Sequence, residues 1–201
     1  MKFDTKVVHA AIKPDPVTGS ILPPLHQTAT YVLEEVGKDK GFDYTRSANP
    51  TRQMMEEHLA ALDSGKYGVA YSSGMAAVDS CLKLLKAGDH VICSDDVYGG
   101  VSRYFNQILV NYGLHFTYVH TSFPENIEAA IRSETKMIWI ETPTNPLLKV
   151  TDLEAVGKIA RNHDLIYGVD STFATPAFLR PLEFGADLVM HSTSKYLSGH
   201  N

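Results

Sequence analysis

The residues of this sequence that are best suited to chemistry follow short apolar runs. Lys195 comes after DLVMH and three hydroxyl residues, Ser192–Ser194, and Asp170 ends the run LIYGVD. The segment Ser72–Met75 follows YGVAY and opens a helical pattern. A lysine amine can condense with an aldehyde, and a buried carboxylate needs a cationic or hydrogen-bonding partner. Free N–H groups at a helix start suit a phosphate.

Each of these signals has an ordinary explanation when taken alone. A lone lysine after a turn is usually a surface residue, Asp170 can cap a turn with Ser171 and Thr172, and a serine at a helix start is usually an N-cap. The sequence contains neither GxGxxG nor GxxxxGK[ST], so dinucleotide and nucleoside-triphosphate sites are not indicated.

Together, the amine, the carboxylate and the phosphate-binding helix start match the needs of pyridoxal 5'-phosphate (PLP). The cofactor aldehyde takes the lysine, and an adjacent carboxylate keeps the pyridine nitrogen protonated. The ring also needs an aromatic face, which Tyr98 can supply because it follows the run HVICS.

Alternating short apolar runs and helical patterns must position these groups. The predicted strands are YGVAY, HVICS, HFTYVH, MIWIE, LIYGVD and DLVMHS, and the predicted helices between them are MAAVDSCLKLLKAG, GVSRYFNQILVNYG, PENIEAAI and DLEAVGKIARNHD. Such repeated units predict an α/β fold, a mostly parallel sheet covered by helices on both faces. Ligands bind beyond the carboxyl ends of such strands, where the candidate residues lie.

The first fifty residues have a different character. They are rich in Pro, Thr and Gly without a sustained period, which predicts an N-terminal arm over residues 1–50 that lies against a partner surface. A PLP-binding domain is predicted over 51–201. Asn49 and Pro50 begin a helix that Gly65 is expected to end, and Gly88 and Gly113 stand where further helices are expected to stop.

Composition narrows the function classes. The 201 residues are 44% hydrophobic and 20% charged, with a net charge of -5 and no block of like charge. Neither nucleic-acid nor membrane binding is indicated, since no apolar run reaches the roughly 18 residues that span a bilayer. No signal-peptide core is recognisable, which favours the cytoplasm. Scattered histidines and two separated cysteines predict no metal site, and only His26 merits a check.

Six ordered motifs carry a family resemblance. YTRSANPT, SSGMAA, DVYGG, ETPTNPL, VDSTFATP and HSTSKYLSGH together resemble the Cys/Met-metabolism family of PLP enzymes. The family includes cystathionine γ-synthase, γ-lyase and β-lyase and methionine γ-lyase. The resemblance covers essentially the whole sequence and implies the large domain of the aspartate-aminotransferase type.

The resemblance implies a role for each matching residue. Lys195 is the Schiff-base lysine and the base that moves protons between substrate carbons, and Asp170 pairs with the pyridinium nitrogen. Asn145 contacts the ring oxygen, and Tyr98 stacks on the ring and assists proton transfer at the leaving group. The phosphate is held by the amides of Gly74 and Met75, the hydroxyls of Ser192 and Ser194, and, from a neighbouring subunit, Tyr44 and Arg46.

The sequence departs from the family pattern at three positions and in its length. Ser171 replaces a common Asn, Thr45 replaces a frequent Ser, and Gly100 stands where methionine γ-lyases have cysteine, which argues against that activity. We expect the chain to be the N-terminal part of a longer enzyme, because the substrate-binding C-terminal domain of the family has no counterpart here.

Three functional hypotheses follow. The first is γ-lyase-like elimination of a sulfur leaving group from a small amino acid, by a homotetramer of active-site dimers. The second is another activity of the family, either γ-replacement on O-acyl-homoserine or β-elimination. The third is an inactive PLP-binding fragment.

Overall fold

The computed structural model describes residues 1–200, which fall into two compact units, Met1–Ala70 and the remainder from Tyr71 onward. In the first unit, α1 (Phe3–His9) contacts α2 (Pro50–Leu62), where His58 Nδ1 lies 2.7 Å from the carbonyl oxygen of Ala10. The N-terminus of α2 is capped as predicted, because the Asn49 side chain accepts from the Thr51 N–H at 2.9 Å. The proposed boundary at residue 50 stays a prediction.

The second unit contains a five-stranded parallel sheet in the order β2-β1-β3-β4-β5. The strands are β1 (His90–Ser94), β2 (His115–Val119), β3 (Thr135–Glu141), β4 (Ile166–Asp170) and β5 (Leu188–Met190). The helices are α3 (Gly74–Leu82), α4 (Gly99–Gln107), α5 (Pro124–Ala129), α6 (Leu153–Asn162) and α7 (Thr175–Phe178), with 3-10 helices at Leu109–Tyr112 and Pro181–Phe184. Five of the six predicted strands and the parallel sheet are therefore confirmed.

Side chains alternate between two separate cores on the faces of the sheet. Val91 of β1 and Trp139 of β3 point to the face covered by α3 and α4. Ile92 and Ile138 point to the face covered by α5 and α6. This burial on both faces explains why the strands are apolar runs and not alternating ones. Within residues 1–200, no helix has the length and apolar character needed to cross a membrane.

The predicted strand YGVAY is wrong, because residues 67–71 form no strand in the structure. Tyr67 and Val69 are largely exposed, so the segment lacks the burial that its apolar residues suggested. The N–H of Ala70 donates to Glu56 Oε1 at 2.8 Å instead of joining a ladder. An apolar run becomes a strand only where a neighbouring strand takes its backbone hydrogen bonds.

Two predicted helix stops need correction. Helix α2 ends at Leu62, and Ser64, not Gly65, takes the left-handed conformation, at φ 60°. Helix α3 ends at Leu82, well before Gly88, whose φ of 94° belongs to the turn entering β1. Gly113 does end a helix, because it takes φ 83° directly after the 3-10 turn Leu109–Tyr112.

A glycine inside α6 gives a stability prediction. A Cβ on Gly157 would lie 2.2 Å from the carbonyl oxygen of Phe184. Gly157→Ala should therefore lower the free energy of unfolding by about 1–3 kcal/mol through overpacking, against the usual gain of alanine in a helix. Urea unfolding measures this change. Gly99→Ala is the control, since its Cβ would meet nothing nearer than 3.7 Å, and an equal response of both variants would contradict the prediction.

Candidate active site

The strand order places a crevice at the carboxyl ends of β1 and β3. The chain leaves β1 towards β2 on one side, whereas β3 lies on the other side, so the loops after β1 and β3 separate above the sheet. Such a switch point is where open α/β sheets bind ligands. A cavity of about 280 Å³ lies at this edge. The predicted residues that line it are Gly74, Met75, Tyr98, Asn145, Asp170, Ser192, Ser194 and Lys195.

One side of the cavity is the N-terminus of α3. Ser73 caps this helix, because its Oγ accepts from the Ala76 N–H at 3.1 Å. The first amides of a helix have no acceptor within it, so those of Gly74 and Met75 are available to an anion. A Cβ on Gly74 would lie 2.9 Å from Ser192 Cβ. Only glycine therefore lets the helix start and the Ser192 hydroxyl approach one another.

Asp170 lines the cavity and is 5% exposed. Its Oδ1 accepts from the N–H and the hydroxyl of Thr172, at 3.0 and 2.6 Å. The Thr172 hydroxyl in turn accepts from the Ser192 N–H at 2.9 Å, which joins the carboxylate to the serine loop. Burial raises the pKa of Asp170. A cation placed in the cavity would therefore be strongly attracted to the ionised form.

Lys195 lies in a tight turn that follows β5. Its N–H donates to the Ser192 carbonyl at 3.1 Å, and its carbonyl accepts from the Gly199 N–H at 2.7 Å. The Lys195 side chain is exposed and lines the same cavity as Asp170. One small molecule within this cavity can therefore meet both the amine and the carboxylate.

A buried glutamate holds the two loops that carry Tyr98 and Asn145. Glu141 is the last residue of β3, and its Oε2 accepts from the Tyr98 N–H at 2.7 Å. Its Oε1 accepts from the Asn145 N–H, also at 2.7 Å. Sequence reasoning did not single out Glu141, although it ends an apolar strand as Asp170 does. An acidic residue at the end of an apolar strand was therefore the sequence signal that could have identified Glu141.

The remaining predicted residues lie in the first unit. Tyr44 and Arg46 form a pair there, with Arg46 Nη2 donating to the Tyr44 hydroxyl at 2.9 Å and its guanidinium 5.1 Å from the ring centroid. His26 also lies in this unit, and its backbone N–H donates to Thr51 Oγ1 at 2.9 Å. No cluster of metal-binding side chains occurs among residues 1–200.

Comparison with known proteins identifies the family. The chain is 47% identical over its whole length to cystathionine gamma-lyase of Bacillus subtilis, of which it covers 53%. It is 45% identical to a probable cystathionine gamma-synthase of Herpetosiphon aurantiacus, with 99% of the chain and 62% of that relative aligned. The crystal structure of metB from Corynebacterium glutamicum superposes with a TM-score of 0.97 at 44% identity, over the whole chain and 52% of that protein.

The chain thus spans between half and two thirds of the length of these proteins. The family model described as Cys/Met metabolism PLP-dependent enzyme matches residues 4–201. Since this match covers nearly every residue, the chain belongs to the Cys/Met metabolism PLP-dependent enzyme family.

Proposed function

We propose that this chain forms the cofactor-binding part of a PLP-dependent trans-sulfuration enzyme that acts on a small sulfur-containing amino acid. The observation that carries the proposal is that Lys195, Asp170 and the N-terminus of α3 line one cavity. The residues present fit the cofactor, because a buried carboxylate, an amine and a glycine-lined anion site correspond to the ring nitrogen, aldehyde and phosphate of one molecule.

Each residue then has a defined task. Lys195 takes the aldehyde and moves protons between substrate carbons, and Asp170 keeps the ring nitrogen protonated. Gly74 and Met75 amides, with the Ser192 and Ser194 hydroxyls, hold the phosphate. Bound PLP supplies an electron sink for the charge left on the substrate carbon.

Two residues of the separating loops complete the proposed assignment. Tyr98 gives the ring an aromatic face and assists the leaving group, and Asn145 donates to the ring oxygen. Both line the same cavity as Lys195 and Asp170.

For the specific activity, we propose cleavage of the Cγ–S bond of cystathionine. Gly100, in place of the cysteine expected of a methionine γ-lyase, supports a cystathionine substrate. The similarity to a probable cystathionine gamma-synthase favours γ-replacement on O-acyl-homoserine as the second candidate. β-Elimination, as by a cystathionine β-lyase, is the third.

Product analysis distinguishes these activities. The protein at its full encoded length is supplied either with cystathionine alone or with O-acyl-homoserine and cysteine. Release of cysteine from cystathionine supports γ-elimination, whereas release of homocysteine indicates cleavage of the Cβ–S bond. Formation of cystathionine from the second mixture, without cleavage in the first, would replace our proposal by γ-replacement.

An inactive cofactor-binding fragment is the alternative for the 201-residue chain alone. Mixing the purified chain with PLP should produce the absorption of bound cofactor at the visible edge. Binding of PLP without turnover would support the hypothesis of an inactive fragment. Absence of binding in a folded preparation would contradict the proposed function.

We also propose that the paired Tyr44 and Arg46 contact the phosphate in a neighbouring subunit, within a tetramer of active-site dimers. Arg46 suits this role because a guanidinium binds a phosphate through two parallel hydrogen bonds. The domain division at residue 50 belongs to the same proposal, since an arm that contacts a second subunit need not pack as a domain of its own.

Two experiments test this proposal. Arg46→Lys should weaken the phosphate contact. Sedimentation with and without PLP measures the oligomeric state of the assembly.

Gly100 gives a prediction about the aromatic face. A Cβ at this position would lie 2.4 Å from Cε1 of the Tyr98 ring, so Gly100→Ala must turn the ring away from its position. We expect cofactor affinity to fall about 3- to 10-fold, in keeping with about 1 kcal/mol for an aromatic stacking contact. Fluorescence titration with PLP measures the change. Gly99→Ala should bind normally, and unaltered affinity in Gly100→Ala would contradict the stacking role.

A further inference from the structure

We propose that Glu141 is a positioning residue that fixes the spacing of Tyr98 and Asn145 at the ring site by binding both of their backbone amides. This inference deepens the proposed function and rests on it for the identity of the ring. The two hydrogen bonds that Glu141 accepts do not depend on which ligand the cavity binds.

The geometry is that of one carboxylate joining two loops. Its two oxygens accept separate N–H groups, each at 2.7 Å, one from the loop after β1 and one from the loop after β3. These loops separate at the switch point of the sheet, so no strand pairing holds them together there. Asp96 also joins these loops, since its Oδ2 accepts from the Leu147 N–H at 3.0 Å, and Lys149 pairs with Asp95 at 2.8 Å. Glu141 is the link that binds two cavity-lining residues, so it sets the spacing between Tyr98 and Asn145.

The strand end that carries Glu141 is itself buried and hydrogen-bonded. Glu141 is 5% exposed, and its N–H donates to Ser94 Oγ at 3.2 Å. Ser94 Oγ lies 3.1 Å from Thr121 Oγ1, within a buried hydroxyl network. A carboxylate with little conformational freedom transmits the position of β3 directly to the two amides.

Charged and titratable groups surround this carboxylate. Asp170 is its partner in the register of β3 and β4, Asp96 lies in the loop after β1, and Cys93 lies in β1. Burial, reinforced by the charge of Asp170, raises the pKa of Glu141 to about 8. A cationic ring nitrogen beside Asp170 would offset this repulsion and favour the ionised form, which accepts both N–H groups best.

A cofactor-independent experiment tests the positioning role. Glu141→Gln keeps the shape of the side chain but presents one NH2 group, so at least one of the two amides loses its acceptor. In the cofactor-free chain at a pH above about 8, where the Glu141 carboxylate is ionised, hydrogen exchange at Tyr98 or Asn145 should accelerate at least about tenfold. The matched control is Asp89→Asn, a buried carboxylate that accepts from the Lys86 N–H at 2.9 Å and precedes β1 at the opposite edge. Exchange at both amides at the wild-type rate would overturn the proposal.

A second measurement requires no variant and covers the case in which Glu141→Gln does not fold. In the unmodified chain, the amide proton shifts of Tyr98 and Asn145 should titrate with one common midpoint. Independent or absent titration of the two amides would overturn the proposal.

A third measurement uses the cofactor. With PLP added, the visible circular dichroism of the bound cofactor should fall by about half or more in Glu141→Gln, while trapping on Lys195 persists. Normal amide responses in a chain that captures no PLP would refute the proposed function and leave the role of Glu141 intact.

Discussion

Replacement of Lys195 by alanine should abolish covalent capture of PLP by this chain. Reduction of the wild-type mixture with borohydride should add one cofactor mass at Lys195, whereas Lys195→Ala should gain none, because Lys195 is the lysine that lines the cavity among residues 1–200. In the protein at its full encoded length, turnover should fall at least about a thousandfold, since the same amine moves the proton.

The matched control for this experiment is Lys158→Ala. Lys158 lies on α6 and pairs with Glu154 at 2.8 Å on the surface, so its loss should leave capture and turnover unchanged. A stable PLP adduct on Lys195→Ala, mapped by peptide mass to another lysine, would refute the assignment.

Replacement of Asp170 by asparagine should separate cofactor capture from cofactor chemistry. Asparagine keeps an oxygen for the Thr172 donors but loses the charge that favours a protonated ring nitrogen. Loss of one partner of a buried charge pair costs about 3–5 kcal/mol, so turnover should fall by about 10² to 4 × 10³. Capture by Lys195 should persist, and the pKa of the ring nitrogen should fall because the carboxylate charge that favours its protonated form is gone.

The same variant changes the pH dependence of stability without cofactor. Burial raises the pKa of Asp170, so the folded state binds its proton more tightly than the unfolded state does. The wild-type free energy of unfolding should therefore fall as pH rises above the usual range of aspartate, and Asp170→Asn should show a flatter profile. Asp187→Asn is the control, because it also neutralises a carboxylate that accepts a backbone N–H, that of Tyr167 at 2.8 Å, and leaves Asp170 unchanged; the fall in stability with pH should remain.

The sheet could be predicted from the sequence because its strands are buried on both faces and therefore read as apolar runs. YGVAY has the same composition but was misassigned, since composition does not report whether a neighbouring strand is present. Helix α1 was not predicted at all. Its seven residues are too few to form a helix from local propensity, and it depends on contact with α2.

Lys195, Asp170 and Tyr98 could be predicted because each follows a strand and these strands end at one edge of the sheet. Asn145 came from the family resemblance, and Gly74 and Met75 follow a segment that forms no strand. Glu141 was missed for a physical reason. Its function as inferred here depends on accepting two backbone N–H groups, and backbone donors carry no residue-type signal. The turn at Ser64 was missed similarly, since glycine is favoured at positive φ but is not required there.

The two separate cores give the molecule an uneven tolerance of change. Helices α3 and α4, whose first residues adjoin the cavity, both cover the face that contains Trp139. Among residues 1–200, the face covered by α5 and α6 contributes no helix start to the cavity lining. Substitutions on that second face can thus change the free energy of unfolding while leaving the chemistry of the cavity unchanged. Stabilising substitutions for biotechnological use should therefore be sought there first.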